Sequence, residues 1–265
     1  MKKLYGWFVI GLFGVILFGL TLPSITFALL ISAVYESSDS ETRIRFGLLH
    51  MFWGKVFWLF IHVFLRIRIK LDIDEGYTGN HSFIVISNHR TALDHVIVNL
   101  AASHAKIKDL RWVLKASMRR APVIGWADAL MGSAFLARDD FARDMDSLEA
   151  TAKMVREDRA SIMIYPEGTR FRGVPDEGAR FAHVREPKLH GFKRLVSKLP
   201  EHRVLCVTLD WGKTDNGVVF GQVGEFLGRH VCVRIRDIGR VSEDRAHEVL
   251  NTCWIDHERF LSDTN

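Results

Sequence analysis

His89 and Asp94 are the pair in this chain best suited to move a proton. They stand in Ser87-Asn88-His89-Arg90-Thr91-Ala92-Leu93-Asp94. A carboxylate bonded to an imidazole fixes its tautomer and stabilises the imidazolium formed when it takes a proton, the minimal general-base unit. In a regular helix a five-residue step leaves two side chains roughly 140° apart, so the pair meets only if His89 lies in a turn ahead of the helix. The flanking residues place it there. Phe83-Ile84-Val85-Ile86 reads as a buried strand, and Thr91 reads as the cap of a helix carrying Ala92, Leu93, Val96, Ile97 and Leu100. Taken alone, the segment reads more simply as a turn histidine and a carboxylate near a positive helix terminus. A zinc reading of His89, Asp94 and His95 has no second His/Cys cluster at ligand spacing, so no metal is expected.

A second strand-to-turn unit changes that balance. Ile162-Met163-Ile164 reads as a strand and runs into Tyr165-Pro166-Glu167-Gly168-Thr169-Arg170. Asn-His-x4-Asp followed by Pro-Glu-Gly-Thr-Arg resembles the glycerolipid acyltransferase family, typified by 1-acyl-sn-glycerol-3-phosphate acyltransferases. Gly132-Ser133-Ala134-Phe135-Leu136-Ala137-Arg138 resembles that family's Gly-x-x-Phe-x-x-Arg block. Lys115-Ala116-Ser117-Met118 with Pro122-Val123-Ile124-Gly125-Trp126 resembles its Lys-x-x-Leu…Pro-x-x-Gly-Trp segment. Pro187-Lys188-Leu189-His190-Gly191-Phe192 is similar to an element of the branch that includes lysocardiolipin acyltransferases. These blocks occur in family order between about Phe83 and Phe192. One departs from the pattern: Val204–Leu209 lacks the proline usual in the family's fourth block, which bears on substrate choice.

The resemblance implies acyl transfer from a thioester to a lysophospholipid hydroxyl, 1-acylglycerol-3-phosphate first, with lysophosphatidylglycerol or lysocardiolipin as alternatives. His89 is then the base and Asp94 its support. Arg138, Glu167, Gly168, Thr169 and Arg170 are expected at the acceptor head group. Guanidinium forks suit phosphate, although Arg138 and Arg170 also fit structural pairing with Asp139 or Glu167. Asn88, Gly132 and Lys115 are further pocket or donor contacts. Backbone N–H groups near Gly168 or at the start of the His89 helix are expected to stabilise the oxyanion. No cofactor is implied, since acyl-CoA or acyl-acyl carrier protein is the donor substrate.

The elements that must hold these residues follow in chain order. Residues 1–65 read as a membrane anchor of two apolar helices and residues 66–265 as the acyltransferase domain. Leu4–Val34 carries no charge and exceeds the ~20 residues needed to span a bilayer; it is too long for a signal-peptide core and is expected to kink or break near Pro23. An acidic-leaning linker, Glu36–Glu41, precedes a second apolar stretch, Phe46–Leu65, interrupted by His50, Lys55 and His62. Lys2 and Lys3 at one end and Arg66, Arg68 and Lys70 at the other put both ends on the cytoplasmic side, as in a hairpin or a shallow V. A bacterial inner membrane is the expected location, with membrane lipid as partner.

Alternating Ile67, Ile69, Leu71 and Ile73 open the domain as a half-buried strand. Further strands are expected at 110–114, 134–136, 204–209, 218–220 and 231–235. Helices are expected from Pro122 to about Met131, from an Asp139 cap through Val155, and from near Ser242 to Leu261. This order predicts an α/β fold, a mixed sheet flanked by helices and preceded by N-terminal membrane helices. The 265 residues carry a net charge of +5, and nine basic against four acidic residues in 170–203 supply an equal excess. Such runs are usually solvated faces; no nucleic-acid motif accompanies this one, and anionic lipid is the better partner. Cys206, Cys232 and Cys253 form no disulfide framework. Two other classes remain in view. A hydrolase could use the same His-Asp pair, although no Gly-x-Ser-x-Gly turn is present. A silent membrane-organising protein would leave His89, Asp94 and Arg170 unconstrained.

Overall fold

Strands form where the chain bunches Ile and Val between turn residues. A computed structural model of the chain describes residues 2–34, 38–74, 77, 79, 81–175, 177–212 and 224–264. Its strands are β1 (Arg68–Ile73), β2 (Phe83–Ser87), β3 (Leu110–Lys115), β4 (Ala134–Leu136), β5 (Ser161–Ile164), β6 (Arg203–Asp210) and β7 (His230–Arg240). They make one mixed sheet in the order β1-β7-β6-β2-β5-β3-β4. Strands β6, β2, β5, β3 and β4 run parallel; β7 is antiparallel to β6, and β1 is parallel to β7.

The pleat divides each central strand between two cores. Phe83 and Val85 face a core shared with α3 (Asp39–Leu65) and α4 (Asp94–His104). Ile84 and Ile86 face the opposite core, built with α6 (Phe141–Glu157), α7 (Leu189–Lys198) and α8 (Ala246–Thr264). Because both faces are covered, β2 is buried along its whole length and its sequence is apolar without alternation.

Several boundaries differ from expectation, each for a local reason. Asp140 rather than Asp139 caps α6, its carboxylate accepting from the Arg143 amide at 3.1 Å. Pro122 lies ahead of α5 (Ile124–Leu130) rather than within it, after a 3-10 turn at Ala116–Arg120. Helix α8 begins at Ala246, past Ser242. Helix α7 went unforeseen in a stretch read for its charge, although Leu189, Phe192, Leu195 and Val196 mark an apolar face. The strand expected at 218–220 lies outside the described residues.

The N-terminal helix is continuous: α1 (Lys2–Ile16) passes through a π-helical turn, Leu17–Thr21, into α2 (Leu22–Val34). The break expected at Pro23 is thus a change of winding just before it, since a wider turn accommodates a residue that cannot donate to the ladder. The acidic residues expected in a linker partly start the next helix. Ser38 and Glu41 form a capping box, and Asp39 sits in the first turn of α3.

The two long helices run antiparallel. The Tyr5 hydroxyl donates to the Phe64 carbonyl (2.5 Å), Trp53 Nε1 to Ser24 Oγ (2.9 Å), and Arg45 to Ser32 Oγ (3.2 Å). Their segments Leu4–Ala33 and Asp39–Leu65, of 30 and 27 residues, are each long and apolar enough to cross a membrane. Leu4, Trp7, Phe8, Phe18 and Phe27 on one, and Leu48, Phe52 and Leu59 on the other, are exposed. Helix α3 also seats tightly on the sheet domain. Arg43 bonds Asp158 at 2.7 Å, and Arg111 reaches Asp158 at 3.1 Å and Asp109 at 2.7 Å. Burial alone would raise Asp158, but the Arg43 and Ser40 hydrogen bonds and the Arg111 charge hold it below the usual carboxylate range.

Candidate active site

Two adjacent parallel strands bring the two turns together. Ile86 of β2 pairs with Ile164 of β5, so His89 and the Tyr165–Arg170 turn leave the same end of the sheet side by side. Carboxyl ends of parallel strands are where open α/β sheets place ligands. The turns are cross-linked: the Phe171 amide donates to the His89 carbonyl at 2.7 Å, and the His89 amide to Glu167 Oε1 at 3.2 Å.

His89 lies ahead of α4, as the pairing required, and its Nδ1 is 2.8 Å from Asp94 Oδ2. Asp94 is fully buried and surrounded by donors. Its Oδ2 also accepts from the Arg90 amide (2.6 Å) and the Thr91 amide (2.8 Å); its Oδ1 accepts from the Thr91 hydroxyl and Trp211 Nε1, each at 2.8 Å. Burial pushes this carboxyl up, but hydrogen bonds from His89, Thr91 and Arg90 and the His89 charge hold it below its ordinary value. An ionised carboxylate only accepts, so a His89 hydrogen sits on Nδ1, and in the neutral imidazole Nε2 is the nitrogen with the lone pair. Thr91 is therefore not the helix cap: Leu93 occupies that position, while the Thr91 hydroxyl accepts from the Leu93 amide at 3.1 Å and donates to Asp94. The Tyr165 ring stacks on the His89 imidazole, centroids 4.1 Å apart and planes 16° from parallel. Stacking fixes the ring face while leaving its edge free.

A cavity of about 850 Å³ opens beside this pair. One wall is apolar, from Phe13, Leu17 and Ile25 of the N-terminal helix and Phe46, Phe57 and Ile61 of α3. Near His89 the lining turns cationic: Lys115, Arg138, Arg170 and Lys188, with Gly168 and Thr169 between them. Arg138 follows β4 in a left-handed conformation (φ 71°). Asp144, in the first turn of α6, holds that turn by accepting from the Ala137 and Arg138 amides at 2.7 and 2.9 Å. The Arg138 guanidinium donates to the Gly168 carbonyl. Gly168 is itself left-handed (φ 72°), and a Cβ there would lie 3.5 Å from Lys188 Nζ.

Other residues singled out from sequence hold the scaffold instead. Glu167 is buried off the cavity; its carboxyl accepts from the His89 amide, and burial pushes it well above the usual carboxylate range, against that bond. Asn88 is buried too, its amide donating to the Leu209 carbonyl (2.9 Å) and its Oδ1 accepting from the Leu209 amide (2.8 Å), which ties β2 to β6. Gly132 (φ 80°) packs under Arg43, Met154 and Arg111, away from the cavity. The amides of Arg90 and Thr91 serve Asp94, that of Leu93 serves Thr91, and that of Gly168 serves the Tyr165 carbonyl at 3.0 Å. Those four amides are thus committed within the protein. Part of the basic stretch is neutralised by ion pairs: Arg194 and Lys198 of α7 to Glu149 of α6, Arg203 of β6 to Asp237 of β7, and Arg180 to Glu186 within one loop.

Three residues of the site went unread. In the sequence Tyr165 reads only as the start of the second turn, and Lys188 as one charge in a basic run. Trp211 follows directly on β6, the strand beside β2, and that adjacency is the signal that could have found it.

A model of the family described as Acyltransferase matches residues 49–208. A chloroplastic 1-acyl-sn-glycerol-3-phosphate acyltransferase of Arabidopsis thaliana is 27% identical over 125 residues, covering 46% of this chain and 33% of that protein. The Saccharomyces cerevisiae 1-acyl-sn-glycerol-3-phosphate acyltransferase is 27% identical over 114 residues, 42% of this chain and 36% of that one. Lysocardiolipin acyltransferase 1 of Mus musculus is 25% identical over 158 residues, 54% and 41%. The matched region spans about a third of the length of the first two relatives, 33% and 36%. Among solved structures, the 1-acyl-sn-glycerophosphate acyltransferase PlsC of Thermotoga maritima shares the fold, with a TM-score of 0.62 at 17% identity over 99% of this chain and 94% of that one.

Proposed function

The chain belongs to the acyltransferase family, and from that premise we propose that it moves a fatty acyl group from a thioester to the free hydroxyl of a lysophospholipid, 1-acylglycerol-3-phosphate before others. One observation carries this reading: the His89–Asp94 pair stands where an apolar cavity meets a cationic rim. An acyl chain fits the first environment and a phosphate the second. Guanidinium and ammonium groups at Arg138, Arg170 and Lys188 complement an anionic head group.

The reaction then needs no acyl-enzyme, because a thioester is already activated. His89 Nε2 takes the acceptor's hydroxyl proton as its oxygen attacks the thioester carbonyl. Asp94 stabilises the imidazolium through Nδ1–H. The tetrahedral adduct collapses by breaking the C–S bond, and the leaving thiolate recovers the proton from His89. The products are an ester and a free thiol. The acyl donor is acyl-CoA or acyl-acyl carrier protein.

The N-terminal helix and α3 form a membrane-seated hairpin in this reading, which puts the mouth of the apolar cavity within reach of lipid-borne substrates. Attachment should survive high salt and yield to detergent, since burial of apolar helices does not depend on ionic strength. The deciding experiment supplies one radiolabelled acyl-CoA with a panel of acceptors to protein purified in detergent. Label in phosphatidic acid from lysophosphatidic acid is expected. Label chiefly in acylated lysocardiolipin or lysophosphatidylglycerol would move the acceptor, and label in free fatty acid would replace transfer by hydrolysis.

A further inference from the structure

One segment of the sheet domain combines exposed apolar side chains with unpaired cations, and it borders the cavity. Residues 115–127 lead from β3 through the 3-10 turn into α5. They leave the end of the sheet that carries His89, since β3 runs parallel to β5 and β5 to β2. The segment has two sides. Inward, Ser117, Val123, Ile124 and Ala127 line the cavity. Outward, Trp126 is 47% exposed, and Arg119 and Arg120 are exposed beside it in sequence on the 3-10 turn. Met118 belongs to both sides, lining the cavity while 38% exposed. Arg119 and Arg120 pair with no carboxylate among the described residues; Arg119 lies over the Phe135 ring instead, 5.7 Å from its centroid.

The backbone holds this lip in a fixed shape. Val123 has φ 66° and ψ −62°, and the Ile124 amide donates to the Pro122 carbonyl at 2.8 Å. That is a γ-turn of positive φ, a strained conformation for a β-branched residue. Such strain persists only where the surroundings over-determine it, and they do: the Val123 side chain is buried, and a Cβ at Gly125 would overlap the Met118 carbonyl, so the 3-10 turn and α5 meet backbone to backbone. Packing on the inner side thus fixes where Met118, Arg119, Arg120 and Trp126 stand on the outer side.

We propose that this lip is the sheet domain's own contact with an anionic lipid surface, separate from the helical hairpin. The proposal rests on the membrane-seated hairpin of the proposed function and adds a second point of support to it. An indole ring and a thioether suit the boundary between head groups and acyl chains, where Trp is enriched, and unpaired guanidinium groups suit lipid phosphates. The N-terminal helix lines the same cavity through Phe13, Leu17 and Ile25 and exposes Trp7, Phe8 and Phe18. With the lip also in lipid, the cavity is bordered by membrane-compatible surface on two of its elements, and a lipid tail can enter it without crossing water.

The test reconstitutes the full chain in vesicles of equal parts phosphatidylcholine and phosphatidylglycerol. A fluorophore is attached through Trp126→Cys, Phe8→Cys or Lys153→Cys, each in Cys232→Ser protein, because Cys206 and Cys253 are buried. Lys153 is exposed on α6, which covers the other face of the sheet. Brominated acyl chains should quench the label at positions 126 and 8 several-fold more than at 153. In parallel, Arg119→Glu combined with Arg120→Glu should lower kcat/KM for acyl transfer on these vesicles about tenfold, leave it within about twofold in detergent, and regain the loss at high salt. Quenching at position 8 but not at 126 overturns the lip and leaves the hairpin and acyl transfer standing, as does unchanged kcat/KM of the double variant on the vesicles. Quenching at neither position overturns the hairpin as well. A loss of the same size in detergent overturns the lipid contact: confined to acyl-acyl carrier protein, it makes the lip a carrier-protein site, and with either donor it makes it a structural element. Absence of transfer in every protein removes the acyltransferase reading, while the labels still decide the lip.

Discussion

Replacing Asp94 by Asn isolates the charge from the geometry of the proposed base. The carboxylate accepts five hydrogen bonds and donates none. An amide must therefore turn its NH2 toward some of these donors. Facing Oδ2's position it would meet three N–H groups; facing Oδ1's it would meet a hydroxyl that can rotate and the fixed Trp211 N–H. The second arrangement wins. The amide oxygen then still accepts from His89 Nδ1–H, so the tautomer survives, and one indole N–H is orphaned.

What is lost is the negative charge beside the imidazolium that forms as the proton moves. With charge centres about 4 Å apart and an effective dielectric near 20, that attraction is on the order of 4 kcal/mol. It acts on the transition state and little on the neutral ground state, so kcat should fall by roughly 10³-fold with KM for either substrate changed little. The orphaned Trp211 N–H and the weaker hydrogen bonds should cost about 1–3 kcal/mol of stability, read as a lower melting temperature. The assay is initial-rate transfer of labelled acyl groups by purified variant and wild type, with thermal unfolding in the same detergent. A kcat within threefold of wild type, in a variant whose melting temperature has dropped as expected, would refute the ion-pair role and leave Asp94 as a scaffold residue.

Three further outcomes test other parts of the structure. Arg170→Lys keeps the charge at the cavity rim and loses the bidentate fork, so the KM for lysophospholipid should rise about tenfold while that for thioester holds; equal loss toward both substrates with a lower melting temperature would return Arg170 to the scaffold. Gly47→Ala places a Cβ 2.2 Å from Asp109 Oδ1, a carboxylate fixed by Arg111 at 2.9 and 2.7 Å, so α3 must shift; a loss of about 1–3 kcal/mol is expected, and an unchanged melting temperature would show that the seat is looser than its contacts imply. Asp128 is protonated in the folded chain up to about pH 8 but ionised when unfolded above about pH 4, so between these values the unfolded state binds fewer protons and wild-type stability falls with rising pH relative to Asp128→Asn. Urea midpoints of the two proteins at pH 5 and pH 8 should diverge in that direction; a constant difference would mean that Asp128 titrates normally.

The sheet and the two turns were legible because their signals are local. Apolar runs such as Phe83–Ile86 and Ile162–Ile164 are strands over nearly those residues, and turn chemistry follows each directly. His89 had to precede the helix for a purely geometric reason, and it does. Burial of polar side chains was not legible. Glu167 and Asn88 are residue types found mostly on surfaces, and only the packing of β5 and β6 against β2 turns them into internal ties. The cap at Thr91 was misjudged for a related reason. A Thr ahead of a helix satisfies local capping, but a buried carboxylate three residues later competes for the same hydroxyl and amide, and the charged acceptor prevails.

The long separation between the two turns has a topological cause. Parallel neighbours cannot be joined by a tight turn; the chain must cross back over the sheet before it can lay β5 beside β2. The intervening residues build α4, β3, α5, β4 and α6, and they return more than a connection. Strand β4 ends on the same rim, so Arg138 follows it into the cavity, and the first turn of α6 supplies the Asp144 carboxylate that fixes Arg138's strained turn. Helix α5 carries Asp128 into the apolar wall, opposite His50 of α3. The crossover that parallel pairing demands thus brings a cation to the rim and a polar side chain to the cavity wall. This is why blocks scattered through the sequence converge on one end of the sheet, and why substitutions within the crossover should alter which substrates fit while leaving the His89–Asp94 pair in place.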